Sequence, residues 1–315
     1  MKTIAVTGAT GFIGQRVVAA AVKEGWRLRI LARNDVTITL PPDVPVFHWD
    51  MEAGDPPAAC LKDVDAICHM AAFIPGDFNS AALAERCLRT NALGTLTLLK
   101  AAYDSKVGRF VYLSSGNAYR ASDTPVTETS QIYPTSRATY YLASKLAAEL
   151  YVDHWDRAGK LSACILRLSS VYGPGMPNAG LVPYLARGIR DSQTVTLRGG
   201  GTYGSDLVFV DDVVAAAMGA LASPVRGPVN IGSGNRTTSS ELADVLLGIL
   251  GRPPELVITE PAALNPDLGF AALDISRANR HLGFVPTQLR EGLSRYLASL
   301  ADRTPDEAIR RTVAN

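Results

Sequence analysis

The stretch Thr7-Gly8-Ala9-Thr10-Gly11-Phe12-Ile13-Gly14 constrains this chain more than any other. It follows a short β-branched run at 4–7 and opens a run of helical periodicity at 12–24. At a strand-to-helix turn its three glycines have separate tasks. Gly8 permits the tight turn, Gly11 lets the backbone approach a pyrophosphate, and Gly14 lets helix pack closely on strand. The helix start adds free N–H groups and the positive end of the helix dipole, so the loop suits a phosphate-bearing ligand. Elsewhere a glycine trio would mean an ordinary turn. Its position here makes Gly8, Thr10, Gly11, Phe12, Ile13 and Gly14 candidate cofactor ligands.

The same alternation continues along the chain. Runs at 28–31, 44–49, 66–70, 109–114 and 163–168 read as strands, and those at 81–104 and 140–159 read as helices. Strand and helix in turn predict an α/β fold, a Rossmann-type doubly wound parallel sheet covered on both faces. Ligands of such sheets lie at the carboxyl ends of the strands, near the topological switch point. Beyond residue 174 the texture changes. Gly173-Pro174-Gly175-Met176-Pro177 and Arg198-Gly199-Gly200-Gly201 break the pattern, with helices expected at 181–191, 239–251 and 289–300. The expected organisation is a dinucleotide-binding domain over 1–174, to which 206–232 returns. A smaller C-terminal substrate-binding domain takes 175–205 and 233–315.

Composition excludes several functions. The 31 basic and 30 acidic side chains leave no net field to recruit nucleic acid or an anionic membrane, so neither is expected as a partner. Cys60, Cys68, Cys87 and Cys164 form no C-x-x-C pair and the four histidines are scattered, which predicts reduced buried thiols and no metal site. The N-terminus runs directly into a strand, and the most apolar helix candidate, at 213–222, is about half the length of a bilayer span. A cytoplasmic protein acting on a small-molecule substrate is the expectation.

At the end of the second strand, Leu31-Ala32-Arg33-Asn34-Asp35 places Arg33 close to where an acid would hold the ribose diol of NAD. A guanidinium suits a 2′-phosphate, which favours NADP over NAD, although Asp35 nearby suits the diol. Tyr141 and Lys145, four apart, share one helical face, whereas Tyr140 points elsewhere. A neighbouring ammonium stabilises a phenolate and lowers its pKa from about 10, making the tyrosine usable as a general acid/base. The fifth strand ends in Leu113-Ser114-Ser115, which brings hydroxyls to a carboxyl edge where one can align a substrate oxygen.

The glycine loop, the Ser114-Ser115 strand end and Tyr141-x-x-x-Lys145 together resemble the extended short-chain dehydrogenase/reductases, the NAD-dependent epimerase/dehydratase family. The likeness continues through His69-Met70-Ala71-Ala72, Asn91-Ala92-Leu93-Gly94-Thr95, Leu166-Arg167, Tyr172-Gly173-Pro174-Gly175 and Phe209-Val210-Asp211-Asp212-Val213. It ends at Asn230-Ile231-Gly232-Ser233-Gly234 and Leu282-Gly283-Phe284-x-Pro286. The resemblance implies an NAD(P) cofactor, with Ser115 as the catalytic hydroxyl, Tyr141 as acid/base and Lys145 as its partner on the nicotinamide ribose. It implies Asp50, with Met51 beside it, on the adenine side, and Ala71, Ala72 and Ser114 along the cofactor. Asn91 supports the site, and a homodimer forms through the helices at 81–104 and 140–159.

Two departures bear on the substrate. Ser205 stands where an arginine often binds diphosphate in sugar-nucleotide members, and Ser170 where an asparagine is common. Arg187, Arg190 and Arg198 are alternative sources of charge, or simply solvated faces. Ala118-Tyr119-Arg120 replaces the family's usual Val-Tyr-Gly. The expected activity is hydride transfer at a carbinol or ketone carbon, as an epimerase or 4-ketoreductase of a sugar or sugar nucleotide. An NADP-dependent reductase of a non-nucleotide carbonyl compound is the second reading. A non-catalytic cofactor-binding sensor or scaffold is the third, and the presence of Ser115, Tyr141 and Lys145 argues against it.

Overall fold

Seven strands form one parallel sheet in the computed structural model of the protein, which describes residues 2–133, 137–262, 264 and 267–301. In chain order the strands are β1 (Thr3–Thr7), β2 (Arg27–Ala32), β3 (Val46–His48), β4 (Ala66–His69), β5 (Arg109–Ser115), β6 (Ser162–Leu168), β7 (Ser170–Tyr172), β8 (Val195–Leu197), β9 (Gly204–Phe209), β10 (Gly227–Ile231), β11 (Arg236–Thr238) and β12 (Val257–Thr259). The large sheet has the order β10-β6-β5-β4-β1-β2-β3, so the order reverses at β1, between β2 and β4. That is the doubly wound Rossmann arrangement, and it places the crevice at the carboxyl ends of β1 and β4.

The helices are α1 (Gly14–Lys23), α2 (Ala84–Cys87), α3 (Gly94–Asp104), α4 (Thr139–Arg157), α5 (Leu181–Arg190), α6 (Val210–Ala222), α7 (Ser239–Leu250), α8 (Ser276–Leu282) and α9 (Leu289–Ala301). On one face of the sheet, Ile4, Val6, Val111 and Leu166 pack with Val17 and Val18 of α1 and Val213 and Ala217 of α6. On the other, Ile67, Phe110, Tyr112 and Ile165 pack with Leu98 and Leu99 of α3 and Ala148 and Val152 of α4. Strands covered on both faces read as continuous apolar runs, which is why β1 and β4 lack polar alternation. Each such aliphatic side chain contributes about 1.5–3 kcal/mol by leaving water.

A third core joins α5, α7 and α9 to Tyr172, Leu207 and Phe209. β9 belongs to a small sheet of order β11-β9-β7. Within 206–232, α6 packs on the large sheet and β10 joins it, whereas β9 lies outside it. The end of the expected second domain, 302–315, lies outside the described residues.

Three elements differ from expectation. The strand at 44–49 shrinks to β3, an edge strand with a neighbour on one side only. The helix expected from 12 begins at Gly14, because Gly11 N–H closes a turn on Gly8 O (3.0 Å) first. The helix expected over 81–104 is interrupted by a π-helical segment, Leu88–Leu93, whose cause lies in the site described below. No helix among the described residues is long and apolar enough to cross a membrane. The four cysteines are free and buried, and no cluster of metal-ligating side chains occurs among the described residues.

Candidate active site

The glycine loop is shaped by contacts that only glycine allows. Gly8 has φ +71°, and a Cβ there would lie 2.7 Å from Ala71 N. At Gly14 a Cβ would fall 1.9 Å from Gly8 O, so helix α1 starts hard against the end of β1. No side chain caps α1, whose N-cap position is Ile13. The exposed Thr10 and Gly11 and the half-buried Phe12 and Ile13 thus surround a helix start suited to a pyrophosphate. The residues present fit a dinucleotide.

Beneath the loop runs an unbroken hydrogen-bonded chain whose polarity can be deduced. Thr95 Oγ1 donates to Asn91 O (2.6 Å), so toward His69 Nε2 (2.9 Å) it accepts. His69 is then the Nε2–H tautomer, and its Nδ1 accepts from Thr7 Oγ1 (2.7 Å). Thr7 Oγ1 in turn accepts from Met70 N (3.2 Å) and Ala71 N (3.1 Å). Burial, with the charge of Lys145 adding, holds the imidazole neutral by pushing its pKa down to about 3.

Asn91, 1% exposed, continues the chain. Its Nδ2 donates to Phe73 O (3.0 Å) and Ser144 Oγ (2.9 Å), and its Oδ1 accepts from Phe73 N (2.7 Å). Ser144 Oγ donates to Tyr141 O (2.7 Å). Asn91 sits in the π-helical segment, a distortion frequent at functional sites. The strand end at Thr7 is thereby tied to the helix turn that carries Tyr141.

Strand parity separates the two serines of β5. Ser114 shares the face of Phe110 and Tyr112, toward α4, and its hydroxyl donates to Glu149 Oε2 (2.7 Å). The Ser114 hydroxyl is thus bound inside the core, which leaves the backbone of Ser114 to face a ligand. Ser115, half-buried, lies on the other parity, and its Oγ accepts from Asn117 N (3.3 Å).

Helix α4 begins after Ala138, a non-glycine residue in the left-handed region (φ 52°, ψ 31°). Lys145, 3% exposed, donates from Nζ to Leu113 O (2.6 Å) and lies 4.2 Å from the centroid of Tyr112. Burial pushes it down to about 7, against the raising effect of Glu149. Tyr141 meets Phe78 edge-on, with centroids 5.9 Å apart. Burial, with Cys87 adding, pushes its phenol up to about 12. Lys145 is not among the groups that move this phenol, whose shift is set by burial. Desolvation dominates both groups, and the ammonium is engaged by a backbone carbonyl.

The remaining predicted residues lie on the loops after β2, β3 and β4 and on β7 and β9. Asp50 accepts Glu52 N–H (3.0 Å) at Oδ1, and the side chain of Met51 fills the space that a Cβ on Gly94 would need (2.7 Å). Ala71 and Ala72 follow β4 past the loop, half-buried. Arg33 and Asp35 are both exposed, but Asp35 and not Arg33 lines a cavity of about 460 Å³ with Ala32, Asn34, Val36, Val46 and His48. Ser170 Oγ and Ser205 Oγ, far apart in sequence, bond each other at 2.5 Å.

Sequence reasoning missed the buried group behind Lys145. Glu149 accepts from Arg167 Nε (2.9 Å), whose Nη1 donates to Tyr119 OH (2.5 Å), and that hydroxyl donates to Asn230 Oδ1 (2.7 Å). The one local signal was an acidic residue a single helical turn beyond Lys145. Phe78 and the His69–Thr95 contact left none.

A model of the NAD dependent epimerase/dehydratase family matches residues 4–232. The dTDP-glucose 4,6-dehydratase of Streptomyces niveus is 29% identical over 97% of each chain. The UDP-glucose 4-epimerase of Mycolicibacterium smegmatis is 29% identical over 94% of this chain and 97% of its own. Among solved structures, the dTDP-glucose 4,6-dehydratase DesIV of Streptomyces venezuelae, with NAD bound, superposes with a TM-score of 0.80 at 29% identity, covering 96% of this chain and 97% of its own.

Proposed function

The chain belongs to the NAD dependent epimerase/dehydratase family of enzymes, and from that premise we propose that it moves hydride at a carbinol carbon of a nucleotide-linked sugar. The reaction is 4-epimerisation or reduction of a 4-ketone. The observation that carries this reading is a physical link: the Thr7–His69–Thr95–Asn91–Ser144 chain ties the strand end before the glycine cradle to the helix turn of Tyr141, while Lys145 bonds Leu113 O two residues before Ser115 on β5. The sugar nucleotide comes from the relatives, a dTDP-glucose 4,6-dehydratase and a UDP-glucose 4-epimerase of nearly equal length.

In the proposed mechanism Tyr141 takes the hydroxyl proton as the C–H electron pair leaves with its hydrogen, giving a ketone. Bound nicotinamide supplies the hydride acceptor. Ser115 orients the reacting oxygen. Lys145 holds the ribose and, when charged, stabilises the phenolate. The cradle at Gly8–Gly14 holds pyrophosphate, and Asp50 and Met51 the adenine side. A Tyr141→Phe variant is expected to lose about 10²–10⁴ in kcat. Full activity in that variant would sink the mechanism.

Arg33 supports NADP over NAD, while Asp35, in the cavity wall, supports the diol of NAD. The proposal is NADP, and an unchanged NADP-to-NAD ratio in Arg33→Ala overturns it. The Ser170–Ser205 pair favours the second reading, reduction of a non-nucleotide carbonyl compound, because two hydroxyls satisfying each other offer a diphosphate no charge. Turnover of a simple ketone but of no sugar nucleotide would establish it.

The division into a cofactor domain (1–174 with 206–232) and a substrate domain (175–205 with 233–315) draws support from the separate third core. Buried free thiols accord with the cytoplasm. A homodimer accords with Leu88, Leu93, Tyr103 and Leu150, all about half exposed in the 81–104 and 139–157 region. Light scattering that returns a monomer mass overturns the dimer.

A further inference from the structure

The loop after β4 places an aromatic ring where the reaction needs none. Asn91 grips Phe73 by both backbone groups, and Arg86 lies 4.4 Å from the Phe73 ring, so the base of this loop is anchored. At its tip, Asp77 Oδ1 accepts from Asn79 N (2.9 Å) and Asp77 O accepts from Ser80 N (3.4 Å). This turn presents Phe78 edge-on to Tyr141 at 71°. Phe78 is nevertheless 39% exposed, and Ile74 in the same loop is 62% exposed. Two large apolar side chains of one loop left in water, one of them against the proposed acid/base, call for an apolar partner.

We propose that Phe78 is a specificity-determining residue, an apolar wall that selects substrates bearing a methyl group in place of hydroxymethyl or carboxylate beside the reacting carbon. The inference rests on the nucleotide-sugar reading above. To exchange a proton, the Tyr141 hydroxyl approaches the reacting oxygen to about 2.6–3.2 Å. A ring whose centroid is 5.9 Å from that of Tyr141 then stands beside the carbons bonded to the reacting carbon. In a pyranose reacting at C4, C3 carries a hydroxyl and C5 the exocyclic carbon, so the apolar wall matches the C5 side. A phenyl ring buries a methyl but leaves a hydroxyl or a carboxylate without a hydrogen-bond partner. Phe78 also shields the phenol from water, in keeping with its raised pKa.

The test compares a nucleoside-diphosphate hexose, its 6-deoxy counterpart and its 6-carboxylate, as dTDP and as UDP sugars, with NAD and NADP. Wild type, Phe78→Ser and Phe78→Leu are assayed side by side, with thermal melts as a check on folding. The wild type should prefer the 6-deoxy sugar by about 10–100-fold in kcat/KM. Phe78→Leu should keep that preference, and Phe78→Ser should reduce it to within about threefold while leaving the melt in place. Preference for the hydroxymethyl sugar, or the same ratio in Phe78→Ser as in wild type, overturns the assignment. No turnover of any of the sugars by wild type overturns the nucleotide-sugar reading instead, and the inference falls with it.

Discussion

Replacing Lys145 by Met removes a cation that the fold has placed where charge is costly. Burial lowers the lysine from 10.5 to about 7, while the unfolded chain keeps the ordinary value. Between those two values the unfolded state binds the extra proton, so stability rises with pH across the window. At about 1.4 kcal/mol per pKa unit, the ionisation cost falls by roughly 3 kcal/mol between pH 6 and pH 9.5. Wild type should therefore gain about 3 kcal/mol relative to Lys145→Met between those two pH values. Urea titration of both proteins without cofactor measures it, and titrating groups that do not interact with Lys145 cancel in the difference. At 3% exposure there is little solvent screening to reduce the effect. A difference flat to within about 0.5 kcal/mol over that range would refute the burial argument, and with it the account of why Lys145 does not lower the Tyr141 phenol.

Gly14→Ala should destabilise the protein and abolish dinucleotide binding by calorimetry, because its Cβ would overlap Gly8 O at 1.9 Å. Glu149→Ala leaves the Arg167 guanidinium, about 7% exposed, without its carboxylate, and should cost about 3–5 kcal/mol by urea unfolding. Ala138→Gly relieves a left-handed alanine ahead of α4 and should raise stability by about 1 kcal/mol, read as a higher urea midpoint with unchanged slope.

Local rules were enough for much of the fold. β1, β2, β4, β5 and β6 lie within one or two residues of the runs read from the sequence, since strands buried on both faces must be continuously apolar. The glycine loop was legible because backbone geometry at Gly8 and Gly14 leaves no other residue possible. The helix expected over 81–104 failed at Leu88–Leu93, where apolar periodicity continues but Asn91 is drawn off to bind Phe73 and Ser144. Periodicity reports which face is buried, not whether a polar side chain on it has found partners from another segment.

Tyr141 and Lys145 show the same division. Their four-residue spacing on one helix, the phosphate loop and the alternation that builds the sheet are short-range properties, and the sequence alone determines them. Which way their proton affinities move is not such a property. Tertiary structure placed Lys145 under Leu113 O and against Tyr112, set Glu149 and Arg167 behind it, brought Phe78 onto Tyr141, and closed Ser170 on Ser205. Each of these contacts joins residues from different elements, and desolvation acts through everything that surrounds a group. Only the packed fold sums those surroundings, so only the fold decided the electrostatics of a pair that the sequence had already located.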